Sequence, residues 1–110
     1  MNSLLDKHCR DYSEKEASMK NEEIERFLVH TPDWQHNLST DQLSRTFGFE
    51  NYPQTMQFVN QVATIAEAQN HHPIMQVSYN RCKVSYSTHT VKGITENDFI
   101  CAAKIDALLN

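Results

Sequence analysis

The sequence is poor in glycine and proline, with two glycines and three prolines among 110 residues. This composition excludes a collagen-like chain and a flexible low-complexity chain. No apolar run approaches the roughly 20 residues that a membrane-spanning helix needs. The N-terminal residues 1–10 contain Asp6 and no apolar run of signal-peptide length. We therefore expect a globular cytoplasmic protein with no membrane partner.

Paired cysteines and an excess of basic charge are also missing. Cys9, Cys82 and Cys101 are an odd number without paired spacing, so we expect free, inert thiols rather than a disulfide framework. The formal net charge is −4, from 10 Lys and Arg against 14 Asp and Glu. A general nucleic-acid binder needs basic residues to neutralise phosphates, so the composition argues against nucleic acid as a partner.

The length of 110 residues corresponds to one domain with one modest core. Residues 1–20 are polar and charged, so we expect an N-terminal tail followed by the domain at 21–110. Helical apolar spacing occurs in three segments, which begin near residues 22, 52 and 96. Apolar and polar residues alternate in four other segments, which begin near residues 34, 43, 75 and 82.

These segments follow the order α-β-β-α-β-β-α, and short turns join both pairs of strands into hairpins. Helices that follow hairpins in this way favour segregation of helices and sheet rather than a parallel sheet. The sequence therefore predicts an α+β domain, with a four-stranded, mainly antiparallel sheet and three helices on one face.

Histidines are the first sign of chemistry, because the chain has six of them and three fall close together in the second half. If the second hairpin turns on Asn80 and Arg81, strand pairing returns His89 to a position opposite His72. Residues opposite each other on paired strands lie about 5 Å apart. We therefore expect His71, His72 and His89 to line one pocket.

Two acidic residues accompany the histidines. Glu67 lies four positions before His71, on the same helix face, where it orients a histidine, contacts a substrate or faces solvent. Asp98 has the spacing of a capping-box acid with Thr95, so it caps the last helix, reaches the histidines, or does both. Tyr79 alternates with core residues, and we interpret it as packing.

Taken together, these residues resemble the signature of the pterin-4a-carbinolamine dehydratases, which here reads Glu67-x3-His71-His72-Pro73-x5-Tyr79-x9-His89-x8-Asp98. The similarity extends to Leu43-x-Arg45-x-Phe47-x-Phe49 and covers about residues 22–107. A lone His-His-Pro motif would be weak evidence for the family, but the further positions at fixed spacing make the resemblance specific.

The resemblance implies a reaction. Aromatic amino-acid hydroxylases release tetrahydrobiopterin as its 4a-hydroxy adduct, and dehydratases of this family remove water from that adduct to give quinonoid dihydropterin for recycling. The family is free of metal, and the chemistry needs no cofactor. One group protonates the leaving hydroxyl and another accepts a ring proton. Histidine suits both roles because its pKa lies near the working pH.

We assign His71 and His89 to the proton transfer and His72 to positioning the pterin. Substrate-binding or orienting roles fall to three further residues, Glu67, Pro73 and Asp98. A metal site is the chemical rival for three histidines, but adjacent histidines lack the usual ligand spacing. The family resemblance further implies a homo-oligomer, a dimer or tetramer, and functional coupling to an aromatic amino-acid hydroxylase.

Two other functions remain open from the sequence. A dimerisation or coactivator-type binding module of the same fold would leave the histidines dispensable. A pterin-related role linked to molybdenum-cofactor metabolism would use the same pocket, so the sequence does not separate it from tetrahydrobiopterin recycling.

Overall fold

The computed structural model describes residues 3–109, which contain three α-helices and four β-strands. In chain order these are α1 (Asn21–Leu28), β1 (Gln35–Asn37), β2 (Gln42–Gly48), α2 (Tyr52–Gln69), β3 (Ile74–Val77), β4 (Arg81–Tyr86) and α3 (Glu96–Asp106). Single 3-10 turns lie at Ser3–Asp6, His89–Val91 and Ala107–Leu109. Across the described part of the chain, no helix has both the length and the apolar character needed to cross a membrane.

The four strands form one sheet in the order β1-β2-β4-β3, and every pair is antiparallel. Alternate residues of β2 and β4 are buried, among them Leu43, Phe47, Cys82, Val84 and Tyr86. These side chains share one face of the sheet because successive residues of a strand point to opposite faces. The helices pack on that face, so the α+β prediction is confirmed.

An aromatic cluster joins the sheet to α2. The Phe58 ring of α2 lies 4.6 Å from the Phe47 ring and 5.1 Å from the Phe49 ring, centroid to centroid. Phe47 and Phe58 are almost completely buried and Phe49 is partly buried. These phenylalanines therefore form part of the core, with Phe49 at its partly exposed edge.

The ends of α2 set the position of the histidine pair. Asn51 precedes the helix and its side-chain oxygen accepts a 2.9 Å hydrogen bond from the Gln54 backbone N–H. Pro53 occupies the first turn, where its missing N–H costs nothing. At the other end Asn70 adopts a left-handed conformation with φ 50°, which asparagine tolerates. The helix therefore stops directly before His71.

The expected capping box of α3 is present. The Thr95 hydroxyl accepts a hydrogen bond from the Asn97 backbone N–H at 3.2 Å, and the Asp98 carboxylate accepts one from the Thr95 backbone N–H at 2.8 Å. This arrangement satisfies backbone groups that a helix N-terminus otherwise leaves unpaired. The cap also fixes the direction of the Asp98 side chain.

The second hairpin differs from the expectation. It turns on Tyr79 and Asn80 rather than on Asn80 and Arg81, because Val77 pairs with Cys82 across the strands. Tyr79 is 63% exposed at this turn, so its interpretation as core packing is wrong. The two registers differ by two residues, which leaves every side chain on the same face. Alternation in the sequence therefore cannot distinguish them.

Residues 4–10 pack against α3 more closely than the polar composition of the N-terminal segment indicated. Leu4 is 3% exposed and belongs to the core. The Arg10 backbone N–H donates to the Asn97 side-chain oxygen at 3.0 Å, and the Asn97 amide donates to the Arg10 carbonyl at 2.7 Å. The boundary expected at residue 20 stays a prediction.

Candidate active site

The end of α2, the residues after β4 and the first turn of α3 meet at the carboxylate of Asp98, which has no solvent exposure. One carboxylate oxygen lies 2.6 Å from the Nε2 atom of His71. The other accepts hydrogen bonds from the Thr88 hydroxyl at 3.0 Å and from the Thr95 backbone N–H at 2.8 Å. A buried carboxylate needs such partners to keep its charge. Asp98 is thus both a helix cap and a partner of a candidate catalytic histidine.

The His71 imidazole is held on a second side by Tyr86. The two rings stack with centroids 5.1 Å apart and planes inclined by 21°. The Tyr86 hydroxyl donates a 3.0 Å hydrogen bond to the His71 carbonyl, and the His71 backbone N–H donates to the Ala66 carbonyl. Both the backbone and the ring of His71 are therefore fixed. Its Nδ1 atom has no hydrogen-bond partner within residues 3–109.

The electrostatics of His71 favour the protonated ring. Burial of the side chain, which keeps 11% exposure, lowers the pKa of His71, but the hydrogen bond to Asp98 and the charge of that carboxylate outweigh it. The net result is a raised pKa. Because opposite charge stabilises the imidazolium, His71 can donate a proton at a pH where an ordinary histidine is largely neutral.

His72 lies on the solvent side of this pair and contacts Glu67. Its Nε2 atom is 2.5 Å from a Glu67 carboxylate oxygen, and the two side chains are 54% and 79% exposed. An exposed pair of this kind contributes little to stability. Both groups are accessible to a ligand. Pro73 follows directly and leads into β3, which begins at Ile74.

His89 begins the 3-10 turn after β4 and is exposed. Strand pairing does not place it opposite His72, because β4 already ends at Tyr86; that step of the sequence argument is wrong. Its connection to the site runs instead through the preceding residue, Thr88, whose hydroxyl contacts Asp98. No side chain in the described range 3–109 hydrogen-bonds the His89 ring. A surface cavity of about 440 Å³ lies beside it.

Tyr86 and Thr88 also belong to the site, although nothing in the sequence pattern indicated this. Both continue the alternation of Cys82 and Val84 on the buried side of the second hairpin, so the sequence presents them as core. Their contacts with His71 and Asp98 depend on how the end of α2 packs against α3. Across residues 3–109, no group of three His, Cys, Asp or Glu side chains is arranged to hold a metal ion.

Comparison with known families and curated sequences gives a consistent match. A family model described as pterin 4 alpha carbinolamine dehydratase matches residues 17–108. A Nitrosomonas eutropha protein named "Putative pterin-4-alpha-carbinolamine dehydratase" is 47% identical over 107 residues, covering 96% of this chain and 93% of that protein. A Hydrogenovibrio crunogenus protein of the same name is 44% identical over 108 residues, covering 98% and 96%.

Two solved structures share the fold. One is described as a transcriptional coactivator/pterin dehydratase from Brucella melitensis; it has a TM-score of 0.80 and 30% identity, and the match covers 84% of this chain and 99% of that one. The other is described as a pterin dehydratase-like protein that is a RuBisCO assembly factor in the alpha-carboxysome. It has a TM-score of 0.61 and 25% identity, with 72% and 92% coverage.

Proposed function

The chain belongs to the pterin-4a-carbinolamine dehydratase family, and from that membership we propose that it is a hydro-lyase acting on 4a-hydroxytetrahydrobiopterin. In the reaction the C4a–O bond breaks, water leaves and quinonoid dihydropterin forms. The elimination moves protons and transfers no electrons to or from the protein. The observation that carries the proposal is the buried contact between His71 and Asp98 within the family's histidine signature.

His71 is the proposed general acid. Asp98 accepts a hydrogen bond from the Nε2–H group and stabilises the imidazolium, in the way that a buried carboxylate orients a catalytic histidine in hydrolases. This leaves Nδ1 to donate a proton to the departing hydroxyl. A positioned acid or base typically contributes a factor of about 10²–10⁴ to the rate.

His89 is the proposed base, and His72 positions the substrate. The exposed His89 ring has no protein partner among residues 3–109, so it can accept a proton from the pterin ring. His72 and Glu67 form an accessible pair in which the carboxylate can accept hydrogen bonds from pterin N–H groups. Pro73 restricts the backbone next to His72. Asp98 acts only through His71.

We place this activity in tetrahydrobiopterin recycling in the cytoplasm, coupled to an aromatic amino-acid hydroxylase, with no metal or cofactor. We also propose a homo-oligomer, a dimer or tetramer. In support, β3 is an edge strand whose Ile74 and Val77 side chains are 56% and 41% exposed. Exposed edges of this kind favour pairing between copies.

A binding module without catalysis is the second candidate. The descriptions of the two solved relatives as a coactivator/pterin dehydratase and as a RuBisCO assembly factor favour it. In that role a surface of the domain contacts a protein partner, and the histidines are dispensable. The two candidates therefore differ in what substitution of His71 does.

The test is a dehydration assay on freshly generated 4a-hydroxytetrahydropterin. We expect the wild-type protein to accelerate water loss above the spontaneous rate. His71→Ala should lower the catalysed rate about 10²-fold or more. His30→Ala, at an exposed histidine outside the site, is the matched control and should retain full activity. A folded wild-type protein without any acceleration would reject the enzyme and favour the binding module.

A further inference from the structure

Two of the three cysteines, expected from the sequence to be inert, are brought together by the fold. The Sγ atoms of Cys9 and Cys101 lie 3.6 Å apart, although the residues are 92 positions apart in the sequence. Cys9 lies in the N-terminal segment 3–20, and Cys101 lies in α3, one turn after Asp98. Cys82 is also buried, but it lies in β4 and is not part of this contact.

The contact between the two sulfurs is supported by the backbone around Cys9. The Cys9 backbone N–H donates a 2.7 Å hydrogen bond to the Gln69 side chain, and the next residue, Arg10, exchanges two hydrogen bonds with Asn97. Leu4 anchors the same segment in the core. The segment is therefore fixed on α3 on both sides of Cys9, and the pairing of sulfurs follows from the packing.

The distance and the exposure of the pair suit disulfide formation. A disulfide has an S–S length of about 2.05 Å, so the two sulfurs, now 3.6 Å apart, need to approach by only about 1.5 Å. Cys9 is partly exposed and Cys101 is buried. An oxidant therefore reaches Cys9 first, and Cys101 is placed to attack the oxidised sulfur.

The pKa values of the two thiols also favour oxidation of Cys9 before Cys101. The hydrogen bond from Cys101 lowers the pKa of Cys9 and outweighs the opposing effect of burial. The same contact, together with burial, raises the pKa of Cys101. Because the thiolate is the nucleophile, Cys9 is the more reactive of the two.

We propose that Cys9 and Cys101 form a reversible intramolecular disulfide when the protein meets hydrogen peroxide. The Cys9 thiol first loses its proton to solvent, and the thiolate attacks one peroxide oxygen. The O–O bond breaks, and the released hydroxide combines with a proton from solvent to give water. The Cys101 sulfur then attacks the Cys9 sulfenic acid. The S–O bond breaks, and the leaving hydroxide takes the Cys101 proton as a second water. One peroxide is reduced and two thiols are oxidised; a dithiol reductant reverses the change.

The disulfide would connect the N-terminal segment covalently to the helix that carries Asp98. Glu14, five residues after Cys9, lines the cavity beside His89, so the crosslink also restrains one wall of that cavity. A crosslink between residues so far apart in sequence removes much conformational freedom from the unfolded chain. Oxidation should therefore stabilise the fold.

The experiment treats the full-length protein with hydrogen peroxide and then follows its mass, its free thiols and its thermal melting. We expect a mass loss of two hydrogens, a crosslinked peptide joining Cys9 to Cys101, and one thiol, that of the buried Cys82, that can be alkylated after the protein is unfolded. We also expect melting to shift upward by roughly 5 °C or more, and to return on reduction with dithiothreitol.

Two variants provide the controls. Cys82→Ala should keep the crosslink and the upward shift. Cys9→Ser, which replaces a partly exposed thiol at the edge of the core by a group of similar size, should fold and lose both. Three results would overturn the proposal: sulfinic acid on Cys9 without a crosslink, disulfides only between molecules, or a crosslink that involves Cys82.

Discussion

The Nε2 atom of His71 lies 2.6 Å from the Oδ1 atom of Asp98, a carboxylate that is completely buried. This contact connects the end of α2 to the first turn of α3, and it gives a helix-capping residue a second role. The Asp98 charge is favourable at the helix N-terminus and is neutralised by the His71 imidazolium. The pair thus couples stability and the proposed acid catalysis through one proton.

The stability of the protein should depend on the protonation of His71. Because Asp98 raises the folded-state pKa of His71 above 6.5, the folded state binds the proton more tightly than the unfolded state. This contribution is complete below pH 6.5 and is lost as pH rises through the raised pKa. We expect the difference in unfolding free energy between wild type and His71→Gln to be largest below pH 6.5 and to shrink as the pH rises through the raised pKa.

Chemical denaturation across this pH range measures the difference. His30→Gln is the control, because that exposed histidine lies outside the site; it should change the free energy of unfolding by less than about 0.5 kcal/mol. A difference for His71→Gln that grows as the pH rises would contradict the assignment.

Thr88 supports the same carboxylate, so its hydroxyl should matter for stability. Thr88→Val removes the hydrogen bond to Asp98 and the 2.7 Å contact with the Thr95 hydroxyl, and leaves a buried acceptor with one partner fewer. We expect a loss of about 1–3 kcal/mol in the free energy of unfolding. Thr90→Val, two residues away and exposed, should change it by less than about 0.5 kcal/mol. Equal effects of the two substitutions would contradict this role of Thr88.

Much of this arrangement could be predicted from the sequence, because local rules determine it. The spacing of Thr95 and Asp98 indicated a capping box, the helical apolar spacing from about residue 52 indicated α2, and the alternation from about residue 43 indicated a half-buried strand. All three features are present. They depend on residues close in sequence and on a single periodicity.

The rest depends on contacts between distant elements. The predicted register of the second hairpin was wrong, because a shift of two residues leaves the alternation unchanged. The predicted position of His89 opposite His72 depended on that register and was therefore wrong as well. In the sequence Tyr86 has the alternation of a core residue, and its stacking on His71 depends on a contact between distant segments. The packing of residues 4–10 against α3 was not predicted, because a polar segment shows little hydrophobic periodicity.

His72 and Glu67 should affect substrate binding rather than stability. Their contact is solvent-exposed, so His72→Ala and Glu67→Gln should each change the free energy of unfolding by less than about 1 kcal/mol. Because we propose that the pair positions the pterin, we expect His72→Ala to raise KM more than it lowers kcat. Steady-state kinetics alongside thermal melts separate the two effects. A large fall in kcat at unchanged KM would instead place His72 in the proton transfer.

Removal of metal ions should leave the activity unchanged. In the proposed reaction the histidines carry the protons, and no step uses a Lewis acid or a metal-bound hydroxide. We expect extensive chelation to leave the dehydration rate within experimental error of the untreated protein. Loss of activity that Zn²⁺ restores would contradict proton transfer by histidine and favour a metal hydroxide.

The central claim is that Asp98 holds His71 protonated so that it can donate to the leaving hydroxyl. The most direct test is the pH dependence of kcat for wild type and Asp98→Asn on freshly generated 4a-hydroxytetrahydropterin. Asparagine keeps the shape and lacks the charge, so the pKa of His71 should fall. We expect the alkaline limb of the variant's profile to move to lower pH, with kcat reduced on the order of 10²-fold. Superimposable profiles for two folded proteins would contradict the account.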